Sequence, residues 1–118
     1  MKKVYYLKTC STCIRILKEL NLPPDFVLQD IKTEEITVKQ LEAMQVLAGS
    51  YEALFSKRSQ LYKEMGLKNQ KLEERDYKHY TLEHYTFLSR PVIIFENAIF
   101  IGNSKAVVEA AKTAIYKK

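Results

Sequence analysis

The sequence has no tryptophan, three glycines, three prolines and two cysteines in 118 residues. So little glycine and proline excludes collagen-like and low-complexity architectures and leaves each such residue to do a specific backbone job. The two cysteines, Cys10 and Cys13, exclude a disulfide-stapled scaffold, because the loop that a bridge between them closes is tiny. No apolar stretch approaches the roughly 20 residues of a membrane-spanning helix, so no membrane association is expected. The opening Met1-Lys2-Lys3-Val4-Tyr5-Tyr6-Leu7 lacks the longer apolar segment and small-residue cleavage site of a secretory signal. A cytoplasmic location is therefore expected, where thiols stay reduced and a close cysteine pair is more often reactive than structural. Acidic residues are the scarcer sign, 14 against 19 basic, for a formal charge of +5. That balance permits an acidic partner, but the lysines are scattered, so the plain reading is a solvated surface with no direct nucleic-acid contact.

What is present is a soluble globular composition, 47% hydrophobic and 28% charged, at the length of one domain. Val4-Tyr5-Tyr6-Leu7 reads as a buried strand. From Ser11, the residues Cys13, Ile14, Ile16, Leu17 and Leu20 follow helical spacing, stopped by Asn21 and Pro23-Pro24. Phe26 to Ile31 reads as a second strand, so the first third suits a parallel β-α-β crossover. The middle carries no strand pattern. Val38, Leu41, Met44 and Leu47 predict an amphipathic helix ending at Gly49, and Tyr51 to Met65 one or two short helices stopped by Gly66. Lys71 to Tyr77 is mostly charged, and Thr81 to Ser89 is apolar on one side. This stretch, about 36–89, reads as a helical insertion packed beside the sheet, short for an independent core. Strands return as a hairpin, Val92 to Phe95 and Ala98 to Ile101 around Glu96-Asn97. Ser104 is placed to cap a last helix with Val107, Val108, Ala111 and Ile115 inward. The order β-α-β, helices, β-β-α predicts an α/β domain over residues 1–118 with one helical insertion.

Cys10-Ser11-Thr12-Cys13 lies where a strand hands over to a helix. The first helical turn offers unpaired N–H groups and a partial positive charge, which stabilise a thiolate. Cys10, at or before the helix start, feels this most. Cys13 is one turn on and less exposed. The expected division is Cys10 as nucleophile and Cys13 as resolving thiol, with Lys8 and Arg15 adding positive potential. Two other uses stay open: half of a zinc site, completed by His79 and His84, or a pair of inert core thiols. The strand–Cys-x-x-Cys–helix placement argues against zinc, whose paired cysteines sit on knuckle-like turns, so no metal is expected; a thioredoxin-like redox motif is the leading reading.

Arg90-Pro91 precedes the hairpin. A proline at the start of a central strand removes a ladder donor, and Pro91 is a candidate for a cis bond. In a thioredoxin-like sheet this loop faces the cysteine loop, which would bring the Arg90 guanidinium to the thiolate or to an oxyanion. Lys57-Arg58-Ser59 reads as the opening of another helix, where a cation is mildly unfavourable against the dipole, a weak hint of an anion at Arg58. Tyr77, Tyr80, Tyr85 and Phe87, beside His79 and His84, read as core and rim packing rather than a nucleic-acid platform.

Three segments together resemble the arsenate reductase (ArsC)-like family, which includes Spx and YffB-type proteins. They are Tyr6-Leu7-Lys8-Thr9-Cys10-Ser11-Thr12-Cys13, then Leu54-Phe55-Ser56-Lys57-Arg58-Ser59 with Tyr62 and Gly66-Leu67, and Leu88-Ser89-Arg90-Pro91-Val92-Ile93-Ile94 through Ile101-Gly102. The resemblance implies a thioredoxin-like fold with a helical insertion and a first cysteine, here Cys10, that attacks arsenate or a disulfide. It implies Arg58, Arg90, Ser11 and Thr12 as the anion-binding residues, and no bound cofactor. Glutathione, glutaredoxin or thioredoxin would be partner and electron donor. Reductases of the family that use a single cysteine hold the oxyanion with three arginines. One maps onto Arg90, the second falls closest to Ser56, and the third near the uncharged Asn103. Arg58 and the paired cysteines match the Spx-like pattern instead. That alternative implies a redox-switched regulator that binds RNA polymerase.

Overall fold

The computed structural model describes residues 1–117. The chain divides into two compact units, one built from Met1–Glu35 with the segment from Arg90 onward, the other from Ile36–Ser89.

The first unit holds a four-stranded sheet in the order β2-β1-β3-β4, made of β1 (Lys2–Tyr6), β2 (Val27–Asp30), β3 (Val92–Phe95) and β4 (Ala98–Ile101). β1 runs parallel to β2 and antiparallel to β3, and β3 pairs antiparallel with β4. The connection between the parallel strands is α1 (Ser11–Leu20), and the hairpin leads into α5 (Lys105–Tyr116). Valine and isoleucine crowd the central strands because β-branched side chains pack well on a pleat, and every residue from Val92 to Ile94 is buried. One face of the sheet closes over Val4, Ile16, Leu20, Phe26, Ile93, Val108 and Ala111, a core shared with α1 and α5.

Each end has a visible cause. Asn21 ends α1 in the left-handed conformation with φ 48°, its N–H returning to Leu17 O. Ser104 caps α5 by accepting from Val107 N. Glu96, with φ 55°, turns the hairpin, and its N–H donates to Met1 O. The Tyr116 hydroxyl donates to the carbonyls of Leu20 and Asn21, joining the last turns of α5 and α1.

β1 starts two residues earlier than the apolar run predicts and stops before Leu7. Lys2 and Lys3 are strand residues because long cationic side chains lay their stems on the sheet: Lys2 pairs across from Phe95, its ammonium 5.9 Å from that ring, and bonds Asp25 at 2.6 Å. Leu7 leaves the ladder because its carbonyl closes a turn onto Cys10 N.

The second unit is helical. It comprises α2 (Val38–Ala48), α3 (Gln60–Glu64) and α4 (Glu74–Glu83), with single 3₁₀ turns at Glu52–Leu54, Leu67–Asn69 and Tyr85–Phe87. α2 begins in a Thr37–Gln40 capping box and ends at Gly49, whose φ of 93° suits glycine. Leu41 and Met44 are its buried residues, while Val38 is 48% exposed, so the apolar stripe is narrower than the periodicity implies. The charged stretch from Lys71 turns out to feed a helix. α4 opens with a Glu73–Asp76 capping box and is anchored by Tyr77 and Thr81, one turn apart and both buried. The core is aromatic: Phe55 stacks on Phe87 at 4.9 Å and meets the edge of Tyr77 at the same distance, with Leu67 filling in and Tyr80 on the rim. His79 and His84 are exposed, each meeting a ring edge, and His79 also lies 4.0 Å from the Glu83 carboxylate.

Candidate active site

The site is assembled by the β1–α1 junction. After Leu7 the chain turns, with Cys10 N donating to Leu7 O at 2.9 Å, and Cys10 becomes the residue that caps α1. Its backbone is extended, φ −92° and ψ 110°, while its carbonyl already accepts from Ile14 N at 3.2 Å. The turn is fastened from the end of β2. Asp30 Oδ1 accepts from the backbone N–H of Lys8 and of Lys32, both at 3.3 Å, and Oδ2 from the Thr33 hydroxyl. Desolvation opposes the Asp30 charge, but those donors and the Lys8 cation hold its carboxyl below the usual carboxylate range.

The two sulfurs are treated in opposite ways. Cys10 is partly exposed and Cys13 fully buried, and both are free thiols. Partial burial works against a Cys10 thiolate. It is outweighed by hydrogen bonds from the Cys13 backbone, the Cys13 side chain and the Thr12 backbone, and by the Arg90 charge, so the Cys10 thiol ionises below its ordinary range. Cys13 is pushed up to about 11, first by burial and then by the hydrogen bond to Cys10 and that sulfur's charge; a hydrogen bond from the Leu7 backbone and the Arg90 cation oppose this. Thr12 thus acts through its N–H, one turn of unpaired donors being what a helix start supplies.

Arg90 reaches both sulfurs electrostatically from the start of β3. Its bond to Pro91 is cis, Pro91 is buried, and Pro91 O accepts from Gly102 N at 2.9 Å, tying the end of β4 to the same corner. Cys10, Ser11, Thr12, Cys13, Arg90 and Pro91 therefore all belong to the sheet unit.

Arg58 lies in the helical unit and is exposed. The sequence reading opens a helix at Lys57-Arg58-Ser59, but α3 begins at Gln60 with Ser59 as its cap. Arg58 thus lies outside the helix, and the dipole argument for an anion there does not hold. Its neighbour Lys57 is engaged by Glu52 at 2.7 Å and lies 5.8 Å from the Tyr77 ring. Among the described residues, no group of three or more His, Cys, Asp or Glu side chains stands together as a metal site.

Two features escaped the sequence reading. One is Asp30, whose signal would have been a lone carboxylate at the end of a strand beside a cysteine loop. The other is a groove of about 520 Å³ lined by Lys8, Thr9, Ser11, Ile14, Arg15 and Lys18.

A family model described as the ArsC family matches residues 5–111. The chain belongs to the ArsC family. Among solved structures, this ArsC-family chain is similar to a YFFB protein, with a TM-score of 0.79 and 17% identity over 98% of this chain and 99% of that one. It is also similar to an arsenate reductase from Vibrio cholerae, with a TM-score of 0.74 and 18% identity over 97% and 93% of the two chains. A third likeness is to an arsenate reductase (ArsC) related protein from Brucella melitensis, with a TM-score of 0.69 and 18% identity over 92% of each chain. No curated protein matches the sequence. The mixed sheet with its helices is thus the thioredoxin-like fold of this family. Membership together with paired thiols of split acidity marks the chain as a thiol redox protein. Among the described residues no helix is long and apolar enough to cross a membrane.

Proposed function

We propose that this ArsC-family chain is a thiol–disulfide oxidoreductase. Cys10 thiolate attacks a disulfide of glutathione or of a protein, and Cys13 resolves the adduct. Glutathione, glutaredoxin or thioredoxin then restores the dithiol. The observation that carries this reading is the opposed acidity of two sulfurs in hydrogen-bond contact, one ionised early and the other held protonated at about 11. Arsenate is the second substrate class of the same nucleophile. It is the weaker one here, because the positions that match two further arginines of the single-cysteine reductases fall closest to Ser56 and near Asn103, neither of them charged, and a dianion needs charge-assisted donors. Arg90 serves as the anion-holding cation, with the first-turn residues Ser11 and Thr12 offering N–H donors.

The test is glutaredoxin- or thioredoxin-coupled turnover of mixed disulfides and of arsenate. Cys10→Ser loses turnover altogether. Cys13→Ser still attacks but stalls, and the trapped mixed disulfide is visible by mass spectrometry. A wild-type chain that turns over neither substrate would remove the enzyme reading.

A second reading is favoured by the sulfur–sulfur contact at a partly exposed helix start, where disulfide closure would alter a local surface. In it the pair is a redox switch for binding RNA polymerase. Pull-downs under reducing and oxidising conditions test this, and identical partner sets lacking any polymerase subunit would count against it.

A further inference from the structure

Thr9 and Ser11, the chain neighbours of Cys10, both line the groove that continues past Ile14 to Arg15 and Lys18, with Lys8 at its near end. Three of its six lining residues are cations and none is an acid. Ser11, Ile14, Arg15 and Lys18 stand at i, i+3, i+4 and i+7 along α1, so they form one stripe of that helix. From Ser11 to Lys18 the stripe rises about 10 Å, the reach of about three residues of extended peptide. An oxyanion at Cys10 would leave most of this row untouched. The charges beside it are occupied only loosely or elsewhere. Glu19 lies 3.9 Å from the Arg15 guanidinium, with the two side chains 66% and 41% exposed in the order Arg15, Glu19. Asp30, which faces Lys8, is committed to backbone donors.

We infer that this groove receives an acidic segment of a protein substrate, an extended chain whose oxidised cysteine lies over Cys10 and whose flanking carboxylates lie against Arg15 and Lys18. The inference rests on the thiol–disulfide reading above and names its substrate class. Peptide rather than nucleic acid is the occupant because no aromatic side chain lines the groove to stack a base and because Thr9 and Ser11, which flank Cys10 in the chain, set the groove beside a thiol that a peptide disulfide can engage and a nucleic acid cannot. Ile14, half-buried between the cations, offers an apolar floor for the peptide backbone.

The chemistry balances as an exchange. Cys10 thiolate forms a bond to one sulfur of the substrate disulfide, the old S–S bond breaks, and the other sulfur leaves as thiolate. Cys13 then attacks the Cys10 sulfur and gives its proton to the departing substrate sulfur. The substrate is reduced by two electrons and the Cys10–Cys13 pair is oxidised by two.

The experiment uses two peptides that differ only in three glutamates beside the cysteine, replaced by glutamine in the second. Each carries its cysteine as a thiopyridine disulfide, and release of thiopyridone reports the first exchange. With the full chain at low salt, the acidic peptide reacts roughly tenfold faster than the neutral one. The ratio falls toward unity at high salt, and it drops severalfold in Lys18→Glu, an exposed position two turns from the thiol. A ratio of one at low salt, or a ratio unmoved by Lys18→Glu, overturns the inference. So does a glutathione disulfide rate that exceeds the acidic peptide's with the same dependence on Lys18, or displacement of the peptide by a single-stranded oligonucleotide at lower concentration. Binding is read separately by anisotropy, with Cys10→Ser protein and a labelled peptide bearing serine for cysteine. Selective binding of the acidic form without any exchange in wild type would sink the redox reading and keep the groove. Equal exchange rates with both peptides would do the reverse.

Discussion

Cys10 shows how a few donors overturn burial. Desolvation alone would raise its thiol, yet two backbone hydrogen bonds, the Cys13 side chain and a guanidinium reverse the sign. Thiol absorbance against pH should therefore show a first ionisation below the ordinary cysteine range and a second near 11. Removing the charge in Arg90→Gln should move the first step upward and slow alkylation of Cys10 at neutral pH severalfold, since less thiolate is present. A profile that does not shift would mean that Arg90 does not set the acidity. Asp30 is the opposite case, a carboxyl held low by donors on the cysteine loop. Because its folded value is depressed, the stability it lends is present above the ordinary carboxylate range, about pH 4, and is lost as pH falls through the lower folded value. Asp30→Asn should accordingly flatten the acid limb of a Tm-against-pH curve, whereas an unchanged acid limb would assign that limb to other groups.

At the level of single elements, caps and anchors outweigh composition. α2 starts where Thr37 and Gln40 satisfy each other's backbone donors, so Thr37→Ala should cost about 1 kcal/mol in urea unfolding. Tyr116 reaches from the end of α5 to carbonyls at the end of α1 that the helix itself leaves unpaired. Tyr116→Phe should cost about 1 kcal/mol, with faster amide exchange in the last turn of both helices as the local signature. The strand–helix–strand opening and the hairpin were legible because their apolar spacing, Ser104 and the Glu96-Asn97 turn are local signals. α4 was not. Its first half is almost wholly charged, and it is held by the Glu73–Asp76 capping box, by Glu74 accepting from the backbone N–H groups of Tyr51 and Glu52, and by burial of Tyr77 and Thr81. The start of α3 was placed too early for the converse reason. Ser56 and Ser59 are both candidate caps, and only the structure shows that Ser59 is the one used.

On the scale of the whole molecule, each unit has a core of its own kind. The sheet unit is aliphatic, with Ile93 buried at the centre, and the helical unit is aromatic, with Phe87 buried among Phe55, Tyr77 and Tyr80. Ile93→Ala should cost about 2–5 kcal/mol and Phe87→Ala about 3–5 kcal/mol in equilibrium unfolding. Losses below 1 kcal/mol at either position would mean that the site collapses around the cavity or that the packing is looser than the burial implies. Taken alone, the sequence determined that a thiol pair stands at a strand–helix junction, that Arg90-Pro91 opens a hairpin, and that a helical stretch separates the two, because periodicity, caps and turn residues act over a few positions. The place of Cys10 at the helix start likewise pointed to it as the nucleophile; only the tertiary structure decided that Arg90 bears on both sulfurs, that Asp30 grips the cysteine loop, and that Lys8, Arg15 and Lys18 share one groove. Those properties depend on fields and hydrogen bonds summed over groups from separate segments, and no stretch of chain carries that sum by itself.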